Sequence, residues 1–255
     1  MANVIITGAG RGLGRAVSEL FLKKGWNVTA VSLHEENLRS LGEEAQASGR
    51  VLTIAGDVSK EEDCRRFFDL SQAELGTVDA LVNCAGSGFL GRVVETTLEQ
   101  WNRTFEVNAT GTFLMCREAL QRWRGDRHKG VIVNVSSVSA HMGAPLASTY
   151  AASKAAVIAF SRSIARETAG AGIRVNVVCP GAMNTDMFHK DTVGFMAEKF
   201  KRDSEQLVQS TLSAVPMHRL VEPEEAAQTV FFLCSEEASA VTGQTFNVDC
   251  GYDMR

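Results

Sequence analysis

The stretch Thr7-Gly8-Ala9-Gly10-Arg11-Gly12-Leu13-Gly14 follows the apolar run Asn3-Val4-Ile5-Ile6-Thr7 without a break, and a helical spacing of apolar residues begins directly after it. Glycine permits a positive φ, and its missing side chain lets the backbone approach a pyrophosphate at a helix N-terminus. There, unpaired N–H groups and the helix dipole favour anions. The stretch therefore predicts a strand, a phosphate-binding turn and a helix in direct succession.

The glycines have the spacing Thr-Gly-x-x-x-Gly-x-Gly, formed by Gly8, Gly12 and Gly14. This is not the strict Gly-x-Gly-x-x-Gly fingerprint of dinucleotide-binding folds, because Leu13 stands where the last glycine of that motif would fall. A glycine-rich turn without a ligand could have the same spacing. The functional interpretation therefore depends on motifs further along the chain.

Seven short apolar runs rich in β-branched residues are bounded by glycine, proline or polar residues, as strands are. They are Val4–Thr7, Val28–Leu33, Val51–Ala55, Ala80–Asn83, Val131–Val135, Val175–Cys179 and Thr245–Val248. Stretches with helical spacing alternate with them, and the runs are too uniformly apolar for a sheet with one wet face. The pattern predicts an α/β fold: a single domain over residues 1–255, with a doubly wound, parallel, seven-stranded sheet and helices on both faces.

This alternation stops between Gly181 and about Val221. Apolar and charged residues are mixed there, and the apolar ones include Met183, Met187, Phe188, Phe195, Met196 and Phe200. We interpret residues of about 182–220 as a lid that covers a substrate. The alternative is a helical connection packed on the core or on a partner subunit.

Composition and charge exclude several classes of partner. The chain is 45% hydrophobic and 22% charged, its formal net charge is -4, and acidic and basic residues are mixed along its whole length. Without a basic block, neither nucleic acid nor a membrane surface is expected as a partner. The six cysteines lack any Cys-x-x-Cys pair, which predicts reduced thiols. No targeting signal or long apolar span is visible, so we expect a cytoplasmic protein.

Tyr150 and Lys154 are four residues apart at the start of a strongly helical stretch, a spacing that places both on one helix face. A tyrosine with an ordinary pKa of about 10 transfers protons poorly near neutral pH. An ammonium about 4 Å away, at an effective dielectric of about 20, favours the phenolate by about 4 kcal/mol, or about three pKa units. The pair predicts a tyrosine that acts as general acid or base.

Ser137 lies thirteen residues before Tyr150, at the end of the fifth apolar run. Its hydroxyl could donate a hydrogen bond to a substrate oxygen that gains negative charge. Ser136 and Ser139 are competing candidates, and we interpret them as structural. The Ser-Tyr-Lys spacing, together with the glycine spacing, resembles the short-chain dehydrogenase/reductase family, and the resemblance covers nearly the whole chain.

The resemblance implies a Rossmann fold and hydride transfer between a nicotinamide and a carbonyl or secondary alcohol, with Tyr150 as general acid or base and Lys154 bonding the ribose. It also implies that Asn108 is a fourth catalytic residue, which kinks a helix and holds a water behind the lysine; a buried structural asparagine is the alternative. The residues implied to bind the cofactor are Gly8, Arg11, Gly12, Leu13, Gly14, Ser32, Asp57, Val58, Asn83, Ala85, Gly86, Tyr150, Lys154, Pro180, Gly181 and Thr185. Cys84 and Cys250 depart from the family pattern, which usually has asparagine and glycine there.

The end of the second apolar run bears on the choice of cofactor. In dinucleotide-binding folds, a carboxylate there binds the ribose 2′-hydroxyl and repels a 2′-phosphate. Ser32 occupies that place, and Arg11 can bring a guanidinium to a 2′-phosphate, as in similar reductases that use NADP. We expect NADP(H) to be preferred. NAD(H) stays possible because Glu35 and Glu36 follow closely, and Arg11 could instead be a solvated loop residue.

The substrate is expected to lie among residues that follow the catalytic strand, the Asn-Cys-Ala-Gly segment and the start of the lid. They are Gly88, Phe89, His141, Met142, Met183, Met187 and Phe188. These residues make a mostly apolar pocket. His141 would bond a polar group of the substrate or serve the structure alone. The other histidines show no metal-ligand spacing, and no metal is expected.

Several functions fit the same motifs. Reduction of a 3-oxoacyl thioester is the first interpretation; the alternatives within the family are a ketone or sugar reductase and an NAD-dependent secondary-alcohol dehydrogenase. A non-catalytic NADP(H) sensor would be expected to lack the tyrosine or the lysine. A sugar-nucleotide epimerase normally needs a larger C-terminal region, and a methyltransferase leaves the Ser-Tyr-Lys spacing unexplained.

Two further expectations concern protein partners. An acyl-carrier protein is acidic, so a reductase that docks it needs basic residues beside the cleft. Basic residues that cluster in the sequence are Arg122, Arg124, Arg127, His128 and Lys129, although a solvated helix end explains them as well. The family resemblance alone implies a homo-oligomer, either a tetramer or a dimer.

Overall fold

A computed structural model describes residues 1–44 and 50–254 of the chain. The strands in this part are β1 (Asn3–Thr7), β2 (Asn27–Ser32), β3 (Val51–Ala55), β4 (Ala80–Asn83), β5 (Val131–Val135), β6 (Arg174–Pro180) and β7 (Thr245–Val248). The helices are α1 (Gly12–Lys23), α2 (Arg39–Glu44), α3 (Glu61–Leu75), α4 (Leu98–Phe105), α5 (Gly111–Asp126), α6 (Ser139–Met142), α7 (Ser148–Thr168), α8 (Phe195–Phe200), α9 (Ser204–Ala214) and α10 (Pro223–Cys234). A π-helical turn, Glu106–Thr110, joins α4 to α5, and a π-helical segment, Met187–Gly194, precedes α8.

The strands form one parallel sheet in the order β3-β2-β1-β4-β5-β6-β7. Each predicted apolar run is a strand, and no observed bound differs from its predicted bound by more than one residue. The chain first builds the sheet outward from β1 to β3 and then returns to the other side of β1. The connections that follow β1 and β4 therefore lead to opposite sides of the sheet, and doubly wound sheets have their ligand crevice at the carboxyl edge of such a reversal. The predicted doubly wound sheet is confirmed.

Successive residues of a strand pack on opposite faces of the sheet. Val4 and Ile6 of β1 belong to a core cluster that includes residues of α1 and α10. Ile5, between them, belongs to a second cluster with Phe67 of α3 and Trp123 of α5. All five residues are buried. Because both faces of the sheet are covered, the strands are uniformly apolar and do not alternate with polar residues.

The insertion between β6 and α10 is helical and is attached at both ends. The N–H of Val221 donates to the Ala182 carbonyl, and the N–H of Asn184 donates to the Val221 carbonyl, both at 2.9 Å. The insertion reaches both the glycine loop, where its Asp191 pairs with Arg11 at 3.7 Å, and the connection after β4, where its Lys199 pairs with Glu95 at 2.6 Å. That it covers a substrate stays a prediction.

The structure bears on the predicted state of the cysteines and on the predicted lack of a long apolar span. All six cysteines are free thiols, as predicted. Among the described residues, no helix combines the length and the apolarity that a bilayer span requires.

Cys250, two residues after the end of β7, adopts a φ of 56°, in the left-handed region that a Cβ disfavours. Replacing it with glycine is expected to raise the free energy of unfolding by about 0.5–1 kcal/mol, because relief of this strain exceeds the entropy cost of glycine. Urea denaturation measures the change. Cys250→Ala is the control, since it removes the thiol but keeps the Cβ. Equal stability of the two variants would show that strain is not the cause.

Candidate active site

The glycine loop has a geometry that its glycines alone permit. Gly8 and Gly12 adopt positive φ values of 68° and 54°. A Cβ at Gly8 would lie 2.8 Å from the backbone nitrogen of Ala85, so the loops after β1 and β4 touch at this point. A Cβ at Gly14 would overlap the Gly8 carbonyl. The motif glycines are therefore required by close backbone approach as well as by φ.

The N-terminus of α1 is open to an anion. The helix begins at Gly12 without a side-chain cap from Arg11 and without an acidic residue in its first turn. Its first N–H groups and its dipole therefore favour a negatively charged ligand. Thr185 faces this end, because a Cβ at Gly12 would lie 3.4 Å from the Thr185 Cγ2. These residues fit the pyrophosphate of a dinucleotide.

The end of β2 lies beside the glycine loop. A Cβ at Gly10 would lie 2.8 Å from the Oγ of Ser32 and 2.6 Å from the Cβ of Asn37. Asn37 was not predicted, because the turn after β2 decides which side chain faces Gly10 and the sequence carries no signal for it. Glu36 lies 3.8 Å from His34 in an exposed pair, measured between a carboxylate oxygen and the Nδ1.

Asp57 and Val58 hold the loop after β3. The Asp57 carboxylate accepts hydrogen bonds from the Ser59 N–H at 2.9 Å and the Ser59 hydroxyl at 2.7 Å, and it pairs with Arg103 at 3.3 Å. Burial opposes its charge, but these partners lower the pKa of Asp57 overall. Val58 packs against Gly111, where a Cβ would lie 2.8 Å from its Cγ2. Contact of the two residues with an adenine stays a prediction.

Ser137 and Tyr150 come together at the carboxyl edge, where Ser137 follows β5 and Tyr150 lies in the first turn of α7. Burial raises the pKa of Tyr150 above its ordinary value, and a hydrogen bond with the Ser137 hydroxyl offsets part of that rise. The Ser137 Oγ also accepts from the Ser139 N–H at 3.2 Å. Ser136 donates to the Lys154 carbonyl at 2.8 Å. That bond fits the structural role predicted for Ser136.

Lys154 is buried, with 4% of its surface exposed. Its Nζ donates to the Val135 carbonyl at 3.0 Å and lies above the Tyr150 ring, 5.9 Å from the ring centroid. Burial lowers the pKa of Lys154 to about 8. The prediction that this ammonium lowers the pKa of Tyr150 by three units is wrong for this structure, because burial raises that pKa. The four-residue spacing fixes the helix face, but the lysine extends towards Val135, and burial disfavours the charged form of each residue.

Asn108 lies in the π-helical turn and is fully buried. Its Oδ1 accepts from the Ser87 N–H at 2.8 Å, and its Nδ2 donates to the Ser87 carbonyl and to the Ser153 hydroxyl, each at 2.9 Å. These bonds tie the loop after β4 to α7. A Cβ at Gly86 would lie 3.2 Å from the Lys154 Nζ. The hydrogen bonds of Asn108 with Ser87 are therefore next to the lysine. The helix irregularity expected here is present as the π-helical turn; a water held behind the lysine stays a prediction.

Two further predicted cofactor positions have structural partners. The Asn83 Nδ2 donates to the Asn134 Oδ1, and the Asn134 Nδ2 donates to the Ser161 hydroxyl, both at 2.8 Å. This buried network links β4, β5 and α7, so the Asn83 side chain stabilises the packing of the core. Gly181, after Pro180 at the end of β6, packs on Asp249, whose Cα would lie 2.8 Å from a Cβ at Gly181.

The predicted substrate residues differ in their surroundings. The Phe89 ring folds back on Gly91, where a Cβ would lie 3.0 Å from it. Met183 packs against the core cluster of α1 and α10, a packing role that the prediction did not include. His141, Met187 and Phe188 are partly buried and Met142 is exposed. That these residues line a substrate pocket stays a prediction.

The basic cluster of Arg122, Arg124, Arg127, His128 and Lys129, which begins in the last turns of α5, lies away from the crevice. This end of α5 leads into the start of β5, at the amino edge of the sheet. Arg122 pairs with Asp69 and Glu118, each at 2.7 Å, and His128 lies 3.1 Å from Asp79. The cluster therefore does not lie beside the crevice of its own chain, and docking of an acyl-carrier protein on it stays a prediction. A helix that leads into a parallel strand ends at the edge of the sheet where that strand begins, opposite the carboxyl edge. The clustering of basic residues in the sequence does not show at which edge of the sheet they lie.

Known proteins share this architecture. The profile of a family described as enoyl-(acyl carrier protein) reductase matches residues 8–253. The chain is 37% identical to 3beta-hydroxysteroid dehydrogenase 1 of Eggerthella lenta, over 98% of this chain and 93% of that relative. It is also 37% identical to the 3-oxoacyl-[acyl-carrier-protein] reductase FabG of Thermotoga maritima, over 97% and 96%. The crystal structure of a variant of actinorhodin polyketide ketoreductase with NADPH matches with a TM-score of 0.92 at 32% identity, covering 98% of this chain and 97% of that one.

A parallel dinucleotide-type sheet with serine, tyrosine and lysine at its carboxyl edge defines an oxidoreductase of alcohol and carbonyl groups. The chain belongs to the short-chain dehydrogenase/reductase family. The names of its relatives specify different substrates, a hydroxysteroid and a 3-oxoacyl-[acyl-carrier-protein] among them. The family therefore gives the class of reaction and leaves the substrate open.

Proposed function

We propose that the protein is an NADP(H)-dependent reductase that reversibly transfers hydride between the nicotinamide and a carbonyl or secondary alcohol, with Tyr150 as general acid or base. The observation that carries the proposal is the convergence of Ser137, Tyr150 and Lys154 beside an uncapped helix N-terminus. The proposed substrate class is a 3-oxoacyl thioester. A ketone or sugar, an NAD-dependent alcohol oxidation and a cofactor sensor are the alternatives.

The residues of this chain have distinct tasks in that reaction. A bound nicotinamide would supply or accept the hydride. Tyr150, kept protonated by its raised pKa, donates its proton to the carbonyl oxygen during reduction, while the Ser137 hydroxyl donates a hydrogen bond to the same oxygen. Lys154, with a pKa of about 8, is still mainly charged at neutral pH and stabilises the phenolate that remains. Asn108 holds the neighbouring loop in place.

Consumption of NADPH and NADH with a panel of carbonyls tests the proposal. The panel contains a 3-oxoacyl thioester, a simple diketone, a cyclic ketone and a keto-sugar. Turnover that favours NADPH and the thioester is expected. Turnover of another carbonyl alone would replace the substrate class, and tight NADPH binding with no turnover on any compound would favour the sensor.

Replacing Arg11 with glutamine is expected to weaken NADPH binding about tenfold, because charge-assisted hydrogen bonds to a phosphate contribute about 1.5–3 kcal/mol. The Arg11 guanidinium is more than half exposed at the N-terminus of α1, where it can turn to a 2′-phosphate. Fluorescence titration measures both cofactors, and NADH, which lacks the phosphate, is the control ligand. Equal or tighter binding of NADH than NADPH by the unmodified protein would defeat the preference.

We also propose a homo-oligomer, a dimer or a tetramer, located in the cytoplasm. Large apolar side chains exposed on the single chain support assembly: Val94 is 87%, Leu98 73% and Phe113 41% exposed. The six free thiols support a reducing compartment. Light scattering at micromolar concentration measures the assembly, and a monomer there would contradict it.

A further inference from the structure

One ion pair joins the lid to the glycine loop. The Asp191 Oδ2 lies 3.7 Å from the Arg11 Nη2, and the two side chains are 54% and 60% exposed. Asp191 belongs to the π-helical segment Met187–Gly194, and such irregular turns are frequent at functional sites. Arg11 is the residue immediately before α1. Two segments that are distant in the sequence therefore meet at the mouth of the proposed cofactor groove.

An ion pair this exposed contributes little to folding, so Arg11 can change its partner at little cost to the fold. A 2′-phosphate carries close to two negative charges and accepts paired hydrogen bonds from a guanidinium, which makes it a stronger partner for Arg11 than one carboxylate at 3.7 Å. Binding of the phosphate by Arg11 competes with the pairing of Arg11 and Asp191, because both anions draw on the charge of one guanidinium. A cofactor without that phosphate leaves the ion pair intact.

We propose that Asp191 is a cofactor-specificity residue, which competes with the 2′-phosphate for Arg11 and so weakens NADP(H) binding relative to NAD(H). The inference rests on the proposed function, because it takes Arg11 as the phosphate ligand. In this arrangement the lid sets how strongly the enzyme distinguishes the two cofactors, although Asp191 does not touch the reacting atoms.

The lid provides a matched control. Asp186 lies in the same insertion, its side chain is 55% exposed, and it pairs with Lys190 of the lid at 3.0 Å. Asp186→Asn therefore removes an equivalent charge, with equivalent exposure, from the same segment but leaves Arg11 and its partner untouched. A general effect of lid charge would appear in both variants, whereas competition for Arg11 appears in the Asp191 variant alone.

Equilibrium fluorescence titrations with NADPH and with NADH test the inference. They use the unmodified protein, Asp191→Asn, Asp186→Asn, Arg11→Gln and the double variant Arg11→Gln/Asp191→Asn. Asp191→Asn is expected to tighten NADPH binding about three- to fivefold, the scale of an exposed charge pair at this distance, and to leave NADH binding unchanged. Asp186→Asn is expected to change neither. In the Arg11→Gln background, the Asp191 substitution is expected to have no effect on NADPH.

The outcomes separate this inference from the proposed function. If Arg11→Gln weakens NADPH binding but Asp191→Asn leaves the NADPH-to-NADH affinity ratio unchanged, the inference is overturned and the NADP(H) preference stands. If Arg11→Gln does not weaken NADPH binding, the assignment of Arg11 to the phosphate fails, and the inference fails with it. If Asp191→Asn tightens NADPH binding equally in the double variant, the carboxylate acts on the phosphate directly, and competition for Arg11 is overturned.

Discussion

Replacing Tyr150 with phenylalanine is expected to lower turnover by about 10²- to 10⁴-fold, with NADPH affinity nearly unchanged. Phenylalanine keeps the ring at the start of α7 but removes the proton that the substrate oxygen receives. A residual rate is expected because the Ser137 hydroxyl still polarises that oxygen. Single-turnover rates with saturating NADPH, using whichever carbonyl the panel identifies, measure the loss at the chemical step.

The control is Tyr252→Phe, because Tyr252 is the other of the two tyrosines in the chain and lies near the C-terminus. It is expected to be fully active. The direction of the pH dependence is a second readout. Because the pKa of Tyr150 is raised, the hydroxyl stays protonated at neutral pH. Reduction is expected to slow as pH rises, first as Lys154 loses its charge above about pH 8 and then as pH passes the pKa of Tyr150. Near-normal turnover of the Tyr150 variant would remove Tyr150 from the mechanism.

The fold could be predicted from the sequence because its main signals are local. A strand buried on both faces has to be apolar throughout, so the β-branched runs mark the strands with bounds correct to one residue. The glycine spacing is equally informative, since a side chain at Gly8 or Gly14 would collide with backbone. A glycine at position 250, which the family resemblance implies, would adopt the left-handed φ of Cys250 without the penalty of a Cβ.

Other features of the site depend on tertiary placement, which a sequence pattern does not contain. The spacing of Tyr150 and Lys154 fixes a shared helix face, but the direction of the lysine chain is set by the Val135 carbonyl on a neighbouring strand. Asn37 faces Gly10 only because of the turn after β2. The pairing of Arg11 with Asp191 likewise depends on how the lid is folded.

Replacing Lys154 with methionine is expected to raise the free energy of unfolding at pH 7 by about 2 kcal/mol. It is also expected to lower turnover at least about a hundredfold, because the phenolate of Tyr150 loses the charge that stabilises it. Burial lowers the pKa of Lys154 from 10.5 to about 8, which corresponds to a cost of about 3 kcal/mol for burying the charge. Methionine fills similar space without a charge. The Val135 carbonyl loses its donor, which costs about 1 kcal/mol and leaves the net gain.

The pH dependence of this gain distinguishes charge burial from better packing. Between pH 8 and 10.5 the unfolded chain binds the lysine proton and the folded protein has released it, so the stability of the unmodified protein rises with pH in that window. Below pH 8 both states are protonated and the full cost is present. The advantage of methionine is therefore largest at neutral pH and shrinks towards pH 10.5. Urea denaturation at pH 7, 8 and 9 measures it.

Lys190→Met is the control, because the Lys190 side chain is 73% exposed and its removal should give no such trend. Two results would contradict this explanation: a Lys154 variant that is less stable than the unmodified protein at pH 7, or a stability advantage that does not change with pH. Either would show that burial of the Lys154 charge does not destabilise the folded protein. The expected result means that Lys154 serves catalysis although it lowers the free energy of unfolding. Function at this site then sets a limit on how stable the protein can become.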